Sequence, residues 1–389
     1  MATVVLKRQR KKRLEAGHPW IYQSEIAEIR GETSPGDMVD IVNHQGHFLA
    51  RGYINPRSQI TVRVVTYAQD DLGEELITTR LQQAFAWRER FLPGARSYRL
   101  VYGEADFLPG LVVDRFEDVL VTQILTLGME VRRQMILDAL VKLLQPRAIY
   151  ERNDVPVREL EGLELYQGWV HGSGPENVTI EENGLKFQVN IAEGQKTGYF
   201  FDQRENRAAL RPLVPGARVL DCFCHTGSFA LHAARYGARE VMGIDISELA
   251  IEQAKANADL NGLGDVQFGV GNAFDELRSF YDQGERFDVI ILDPPAFTKS
   301  RHNIEGAYRG YKEINLRAMK ILNPGGFLVT NSCSYHMSKE MFHTMLLDAR
   351  ADVHRPVRLV EWRTQGKDHP ILLGSDETQY LKYVILQVL

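Results

Sequence analysis

The sequence predicts an α/β protein: a doubly wound parallel sheet over residues 186–389, preceded by a small β-rich unit over 1–70 and a central α/β segment over 71–185. Three observations carry this. Apolar strands alternate with helical segments after residue 186 or so. The first 70 residues alternate apolar and polar positions around turn signals. The run FDVIILDPPAF, Phe287 to Phe297, ends an apolar strand on two prolines. Proline cannot donate to a sheet ladder, so the chain leaves the sheet at Pro294 and Pro295. In an open parallel sheet that edge is where ligands bind.

Taken in order, GDMVDIVNHQGHFLARGYI reads as a hairpin turning at Asn43-His44-Gln45-Gly46, and SQITVRVVTY as a further strand. LGEELITTRLQQAFAWRERF, residues 72–91, spaces Leu76, Leu81, Phe85 and Arg88 helically with no breaker. Strands follow at RLVYG, GLVVDRF and VLVTQILT, then a helix, MEVRRQMILDALVKLL, and a strand, AIYERND. VTIEENGLKFQVNIAEG is a hairpin with Asn183-Gly184 at its turn. Beyond it the strands are ARVLDCF, EVMGIDI, VQFGVGNAF, FDVIILDPP and GGFLVTNSCS. Between them lie the helices SFALHAARYG, SELAIEQAKANADLNG, DELRSFYDQG and YKEINLRAMKIL, and QYLKYVILQVL is a last strand able to complete the sheet.

Composition narrows the class. Hydrophobic content of 44% with 25% charged residues is that of a soluble globular protein. No apolar run approaches the ~20 residues of a membrane span, so no membrane association is expected. The amino terminus lacks the apolar stretch of a secretory leader. Three cysteines, Cys222, Cys224 and Cys333, give no disulfide framework and suit a reducing cytoplasm. Nothing in the sequence reads as a metal site. The net charge of −5 does not suggest a nucleic-acid binder, yet Lys7, Arg8, Arg10, Lys11, Lys12 and Arg13 form a basic cluster able to neutralise RNA phosphates locally.

Four strand tips carry a pattern. The first gives Asp221, then Thr226, Gly227 and Ser228, where a glycine opens the helix and lets a ligand approach the backbone. The spacing is not the GxGxxG of a dinucleotide site. The second tip gives Asp245 and Ile246, a carboxylate suited to two ribose hydroxyls. The third gives Asn272 and Ala273, an amide and a backbone N–H for an adenine edge, and the fourth is DPPAF. In this order the tips resemble those of class I methyltransferases, which have a Rossmann-like fold and bind S-adenosylmethionine. The resemblance implies the same cofactor here. It also implies that the segment from Gly194 to Arg204 folds over the cofactor's methionine end. There Lys196, Gln203 or Arg204 would take the carboxylate and Tyr199 or Phe200 would stack.

The chemistry reads two ways. Asp293 and the Pro294 carbonyl can accept from a base's exocyclic amine while Phe297 stacks on the ring, which describes N-methylation. Cys333, in Thr330-Asn331-Ser332-Cys333-Ser334 at the next strand tip, offers another route. A thiolate added to carbon 6 of a pyrimidine makes carbon 5 enamine-like and able to take a methyl group. A non-catalytic RNA-binding module with a residual cofactor pocket is a third reading, and the intact acids Asp221, Asp245 and Asp293 argue against it.

Over essentially its whole length the chain resembles the PUA-domain-linked methyltransferases that make 5-methylcytosine in bacterial 23S ribosomal RNA. Gly17-His18-Pro19-Trp20 and Arg51-Gly52-Tyr53 look like the PUA domain, an RNA-binding β-barrel. Gly103 to Leu111 and Lys196-Thr197-Gly198-Tyr199-Phe200 are similar to that family's segments. The resemblance implies that Cys333, in Ser-Cys-Ser, is the nucleophile, with a 23S ribosomal RNA substrate and a homodimer. Many RNA cytosine-5 methyltransferases carry a second cysteine after the Pro-Pro; this chain has Ala296 there, which leaves the group that removes the carbon-5 proton unassigned. Asp368-His369-Pro370 is a candidate for active-site support and equally a loop turn.

Overall fold

The computed structural model describes residues 1–194, 197–298 and 303–389. They divide into two units, one of Met1–Ile180, Val189–Asp202 and Lys367–Thr378, the other of Glu181–Gln188, Gln203–Gly366 and Gln379–Leu389. No helix among the described residues is long and apolar enough to cross a membrane.

The first unit holds two sheets. Its six-stranded sheet uses Ala2–Leu6, Trp20–Ile21, Ile26–Arg30, Met38–Val42, Phe48–Ile54 and Val62–Thr66. The expected hairpin is there: Met38–Val42 pairs antiparallel with Phe48–Ile54. The Asn43 side chain accepts from the N–H groups of Gln45 and His47 at 2.9 and 3.0 Å, an Asx turn that fixes the register. The five-stranded sheet runs from Ser97–Tyr102 to Tyr166–His171, and helices Glu74–Phe91 and Arg133–Leu144 share its apolar core.

The helix expected over MEVRRQMILDALVKLL starts with a break. A short turn, Leu127–Glu130, ends at Arg132, whose guanidinium donates to the carbonyls of Leu72, Gly36 and Gly128. Gly128 lies flat against Tyr53, where a Cβ would sit 2.1 Å from the ring. Tyr53 in turn donates to the Pro109 carbonyl at 2.7 Å, so packing and a buried hydrogen bond tie the small sheet to the central segment. The Gly103–Asp106 turn has a structural purpose: Asp106 holds the fully buried Arg88 through a two-point pair at 2.5 and 2.8 Å. Asp368 is buried in this unit, accepting from the Arg99 N–H at 3.0 Å and from His369 at 2.8 Å, an anchor for its loop.

The second unit is the predicted doubly wound sheet. Its strands are β1 Arg218–Cys222, β2 Glu240–Asp245, β3 Gln267–Val270, β4 Phe287–Leu292, β5 Leu322–Ser332, β6 Val357–Arg363 and β7 Lys382–Val388. Its helices are α1 Ser228–Arg235, α2 Glu248–Leu260, α3 Ala273–Asp282, α4 Ile304–Ile321 and α5 Lys339–Val353. The order is β3-β2-β1-β4-β5-β7-β6, with β1 to β5 parallel and β7 antiparallel to both neighbours. Because side chains alternate along a strand, Leu220, Ile290 and Leu328 face one core with α4 and α5, and Val219, Val289 and Val329 face another with α1. The chain order reverses between β1 and β4, which puts the ligand edge at the ends of these two strands.

Candidate active site

The tips of β1 and β2 build one loop system. Asp221, next to last in β1, is fully buried; one carboxylate oxygen accepts from the Ala230 N–H at 3.0 Å, and the other has no hydrogen-bond partner among the described residues. Burial, then the negative charge of Asp293, pushes this carboxyl well above the ordinary range. The loop after β1 is backbone-strained: Phe223, His225 and Gly227 have φ of 68°, 49° and 83°. Asp245 at the tip of β2 holds it, accepting from the His225 N–H at 2.9 Å and the Ser247 N–H at 3.0 Å. Thr226 accepts from Asn257 at 3.0 Å through its carbonyl, and Ser228 begins α1.

Gly227 is required twice over. Its φ is left-handed, and a Cβ there would meet Phe268 at 2.9 Å and Ala254 at 3.1 Å. Gly227→Ala is expected to cost about 2–4 kcal/mol from backbone strain and overpacking. Chemical denaturation should show this loss; an unchanged midpoint would mean the loop relaxes freely.

At the remaining tips, Ile246 is 72% exposed beside Asp245, an apolar face open to a ring. Asn272 caps α3, its side-chain oxygen accepting from the Phe274 N–H at 3.0 Å, and Ala273 is buried behind it. Asp293 accepts from the Gln203 amide at 3.1 Å, so two predicted residues do meet. Arg204 is instead buried with Glu182 at 3.7 Å, in a cluster that Arg207 and His232 complete. Its structural partner competes with the expected role at a cofactor carboxylate. Tyr199 and Phe200 belong to the first unit, where the Tyr199 ring packs edge-on against Phe201 at 5.3 Å. Lys196 lies outside the described residues.

The pairing of β4 with β5 brings the chemistry together. Leu292 sits opposite Thr330, so the two chains leave the sheet side by side. The Cys333 thiol then points its S–H at the Pro294 carbonyl, 3.8 Å away. Phe297 stands as a half-buried wall rather than a free platform: its ring lies 4.5 Å from Tyr311 and 5.9 Å from Phe274. The Tyr311 hydroxyl meets the Ser334 hydroxyl at 2.9 Å, and burial raises this phenol to about 12, keeping it neutral. Cys222 and Cys224 are buried with thiols pushed well above the ordinary range by that burial, as packing residues are.

Sequence reasoning missed Lys382. It begins β7, is 7% exposed, and donates to the carbonyls of Ser334 and Tyr380, each at 2.7 Å. A single cation inside the apolar run YLKYVIL was the available signal.

The basic cluster is only partly free for phosphates. Lys7 donates to the Ser24 carbonyl at 2.8 Å, Arg10 pairs with Glu15 at 2.6 Å, and Arg13 covers Tyr22 at 5.3 Å. Arg8, Lys11 and Lys12 are exposed.

Comparison with known proteins adds to this geometry. A PUA-like domain family matches residues 4–67, and an S-adenosylmethionine-dependent methyltransferase family matches residues 164–366. The ribosomal RNA large subunit methyltransferase I of Cronobacter sakazakii is 44% identical over 385 residues, 97% of each chain. That of Tolumonas auensis is 44% identical over 394 residues, covering 100% of this chain and 99% of the relative. A solved structure of a protein described as a methyltransferase, complexed with SAH, aligns over 100% of both chains with a TM-score of 0.86 at 20% identity, which speaks to fold.

Proposed function

We propose, from the premise that this chain belongs to the family of ribosomal RNA large subunit methyltransferase I, that it methylates carbon 5 of a cytosine in 23S ribosomal RNA through a covalent bond to Cys333. The observation that carries the reading is the thiol of Cys333 at the Pro294 carbonyl, inside the Asp-Pro-Pro tip. An N-methyltransferase needs no nucleophile there.

The second unit fits S-adenosylmethionine. An orphaned oxygen on buried Asp221 offers a partner to a cationic ligand, and the left-handed Gly227 turns the loop beside it. Asp245 would hold the ribose hydroxyls, Ile246 and the Asn272–Ala273 backbone the adenine, and Asp221, Thr226, Gly227, Ser228 and Gln203 the methionine end. When bound, S-adenosylmethionine supplies a methyl group activated by a sulfonium.

Asp293 and the Pro294 carbonyl grip the amine edge of cytosine, and Phe297 walls the ring. The Cys333 thiolate adds to carbon 6, and the electron pair displaced from the 5,6 double bond makes carbon 5 the nucleophile. Once carbon 5 carries the methyl group its proton passes to a water molecule, and the C–H electrons re-form the 5,6 double bond as the thiolate leaves. The trapping experiment that tests this uses RNA carrying 5-fluorocytidine, in which fluorine replaces the departing proton.

The exposed Arg8, Lys11 and Lys12 supply cations to RNA phosphates. A count of only three cysteines suits the cytoplasm, and the family resemblance supports a homodimer. The domains we infer are 1–70, 71–185 and 186–389.

Asp221 gives a pH signature. A carboxyl whose pKa is raised gives up its proton at higher pH than an ordinary one, and a cationic ligand favours the ionised form. S-adenosylmethionine affinity should therefore rise with pH through the range in which this carboxyl titrates, and binding there should release a proton. Calorimetry in two buffers of different ionisation enthalpy reads that proton. Asp221→Asn should abolish the buffer dependence, and wild type showing none would remove Asp221 from the site.

A further inference from the structure

A buried cation beside a nucleophilic cysteine has no place in the mechanism above. Lys382 is the first residue of β7, which runs antiparallel to β5, so its backbone sits opposite Ser332, one residue before Cys333. Its side chain reaches past the cysteine to the Ser334 carbonyl and also takes the Tyr380 carbonyl, each at 2.7 Å. The first of these contacts holds the amine at the carbonyl one residue past Cys333, close enough for its charge and a Cys333 thiolate to interact.

The valence of nitrogen then matters. A neutral amine has two N–H groups and one lone pair. Both N–H groups are taken up by the two carbonyls, and the lone pair remains to accept a proton. We propose that Lys382 takes the proton of the Cys333 thiol and holds the resulting thiolate as an ion pair. The S–H bond breaks, its electrons stay on sulfur, and a third N–H bond forms on the amine. No outside reactant is needed. The role rests on Cys333 being the nucleophile, and because Lys382 acts through Cys333 it is a positioning residue.

Burial supports this by lowering Lys382 to about 8, against the raising effect of the Cys333 thiolate. An ordinary lysine stays charged near neutrality and could not take a proton; this one exchanges its proton in the range of a thiol. Other titratable groups stand nearby, and at the tip of β4 Asp293 accepts from Gln203 at 3.1 Å. Tyr311 on α4 stays protonated up to about 12. On β6, Arg363 is paired with Glu361 and hydrogen-bonded to Asn206. Tyr383, next on β7, donates to the Asn206 carbonyl at 3.0 Å. Tyr335 and His336, on the cysteine's own loop, pack edge-on against each other at 5.3 Å.

The test is the pH dependence of iodoacetamide alkylation in the full chain, read peptide by peptide so that Cys333 is separated from buried Cys222 and Cys224. In wild type the Cys333 midpoint should lie about one unit or more below the ~8.5 of a free cysteine. Lys382→Met should raise it by about one unit, a tenfold loss of thiolate at pH 7. Lys382→Arg keeps a fixed charge beside the cysteine and should keep the low midpoint. Calorimetric S-adenosylmethionine binding checks that each variant folds, and Lys382→Arg decides alone if Lys382→Met does not fold. A midpoint in Lys382→Met equal to wild type, or one in Lys382→Arg that climbs to the free-cysteine value, overturns the proposal. A low, lysine-dependent midpoint without a 5-fluorocytidine adduct would instead overturn the cytosine-5 reading and leave the lysine–cysteine pair standing.

Discussion

Cys333→Ala is expected to abolish RNA methylation while leaving S-adenosylmethionine binding within about twofold of wild type. Carbon 5 of cytosine is a poor nucleophile until a thiolate has added at carbon 6, so the variant loses the step that creates the reacting carbon. A loss on the order of 10⁴-fold or more corresponds to about 5.4 kcal/mol of barrier, at about 1.36 kcal/mol per decade. The residues proposed to hold the cofactor lie outside the tip of β5, and Cys333 leaves β5 toward Pro294, so binding has no reason to change. Wild type should form an adduct with 5-fluorocytidine RNA that survives denaturing electrophoresis, and the alanine variant should form none. Retention of most activity by the variant, with methyl found on a base nitrogen, would give the site to N-methylation anchored by Asp293.

Asp245→Ala should weaken S-adenosylmethionine binding by roughly 10²–10³-fold, about 3–4 kcal/mol, since hydrogen bonds to a charged group contribute about 1.5–3 kcal/mol each. Two losses combine. On the proposed reading the ribose loses its acceptor, and the His225 and Ser247 N–H groups lose the carboxylate that holds them at 2.9 and 3.0 Å. The strained backbone at Phe223 and His225 then loses its brace. Asp245→Asn keeps an acceptor and the shape, and should fall in between. Titration calorimetry on both variants tests this; an unchanged dissociation constant for Asp245→Ala would remove the residue from the ribose site.

Much of this was legible in the sequence because strand and helix periods are local. Val219 and Leu220 face opposite cores as alternation requires, and Asp221, Asp245, Asn272 and Asp293 all fall at or just past strand ends. Other features were not legible, for identifiable reasons. β6 is largely exposed, with Arg, Glu and Trp interrupting its apolar positions, so VRLVEWR carries no strand signature. α5 mixes charges through its apolar face and also escaped the sequence reading. The basic cluster read as six free cations because spacing does not reveal that Glu15 lies within reach of Arg10. Arg204 read as a cofactor ligand because nothing local points to Glu182, 22 positions earlier, as its partner. Lys382 was missed because its importance depends on a strand pairing between residues 50 positions apart in sequence, Ser332 and Lys382.

The antiparallel strand β7 also constrains when the site can come into being. It fills the slot between β5 and β6, so both of its edges are paired in the finished sheet. Such long-range pairing is slow relative to local helix and hairpin formation. Before β7 pairs, a sheet that carried the tips of β1 to β4 would have no amine beside its cysteine. Reactivity toward electrophiles is thus withheld from the incomplete sheet, and the same insertion that finishes the fold switches the thiol on.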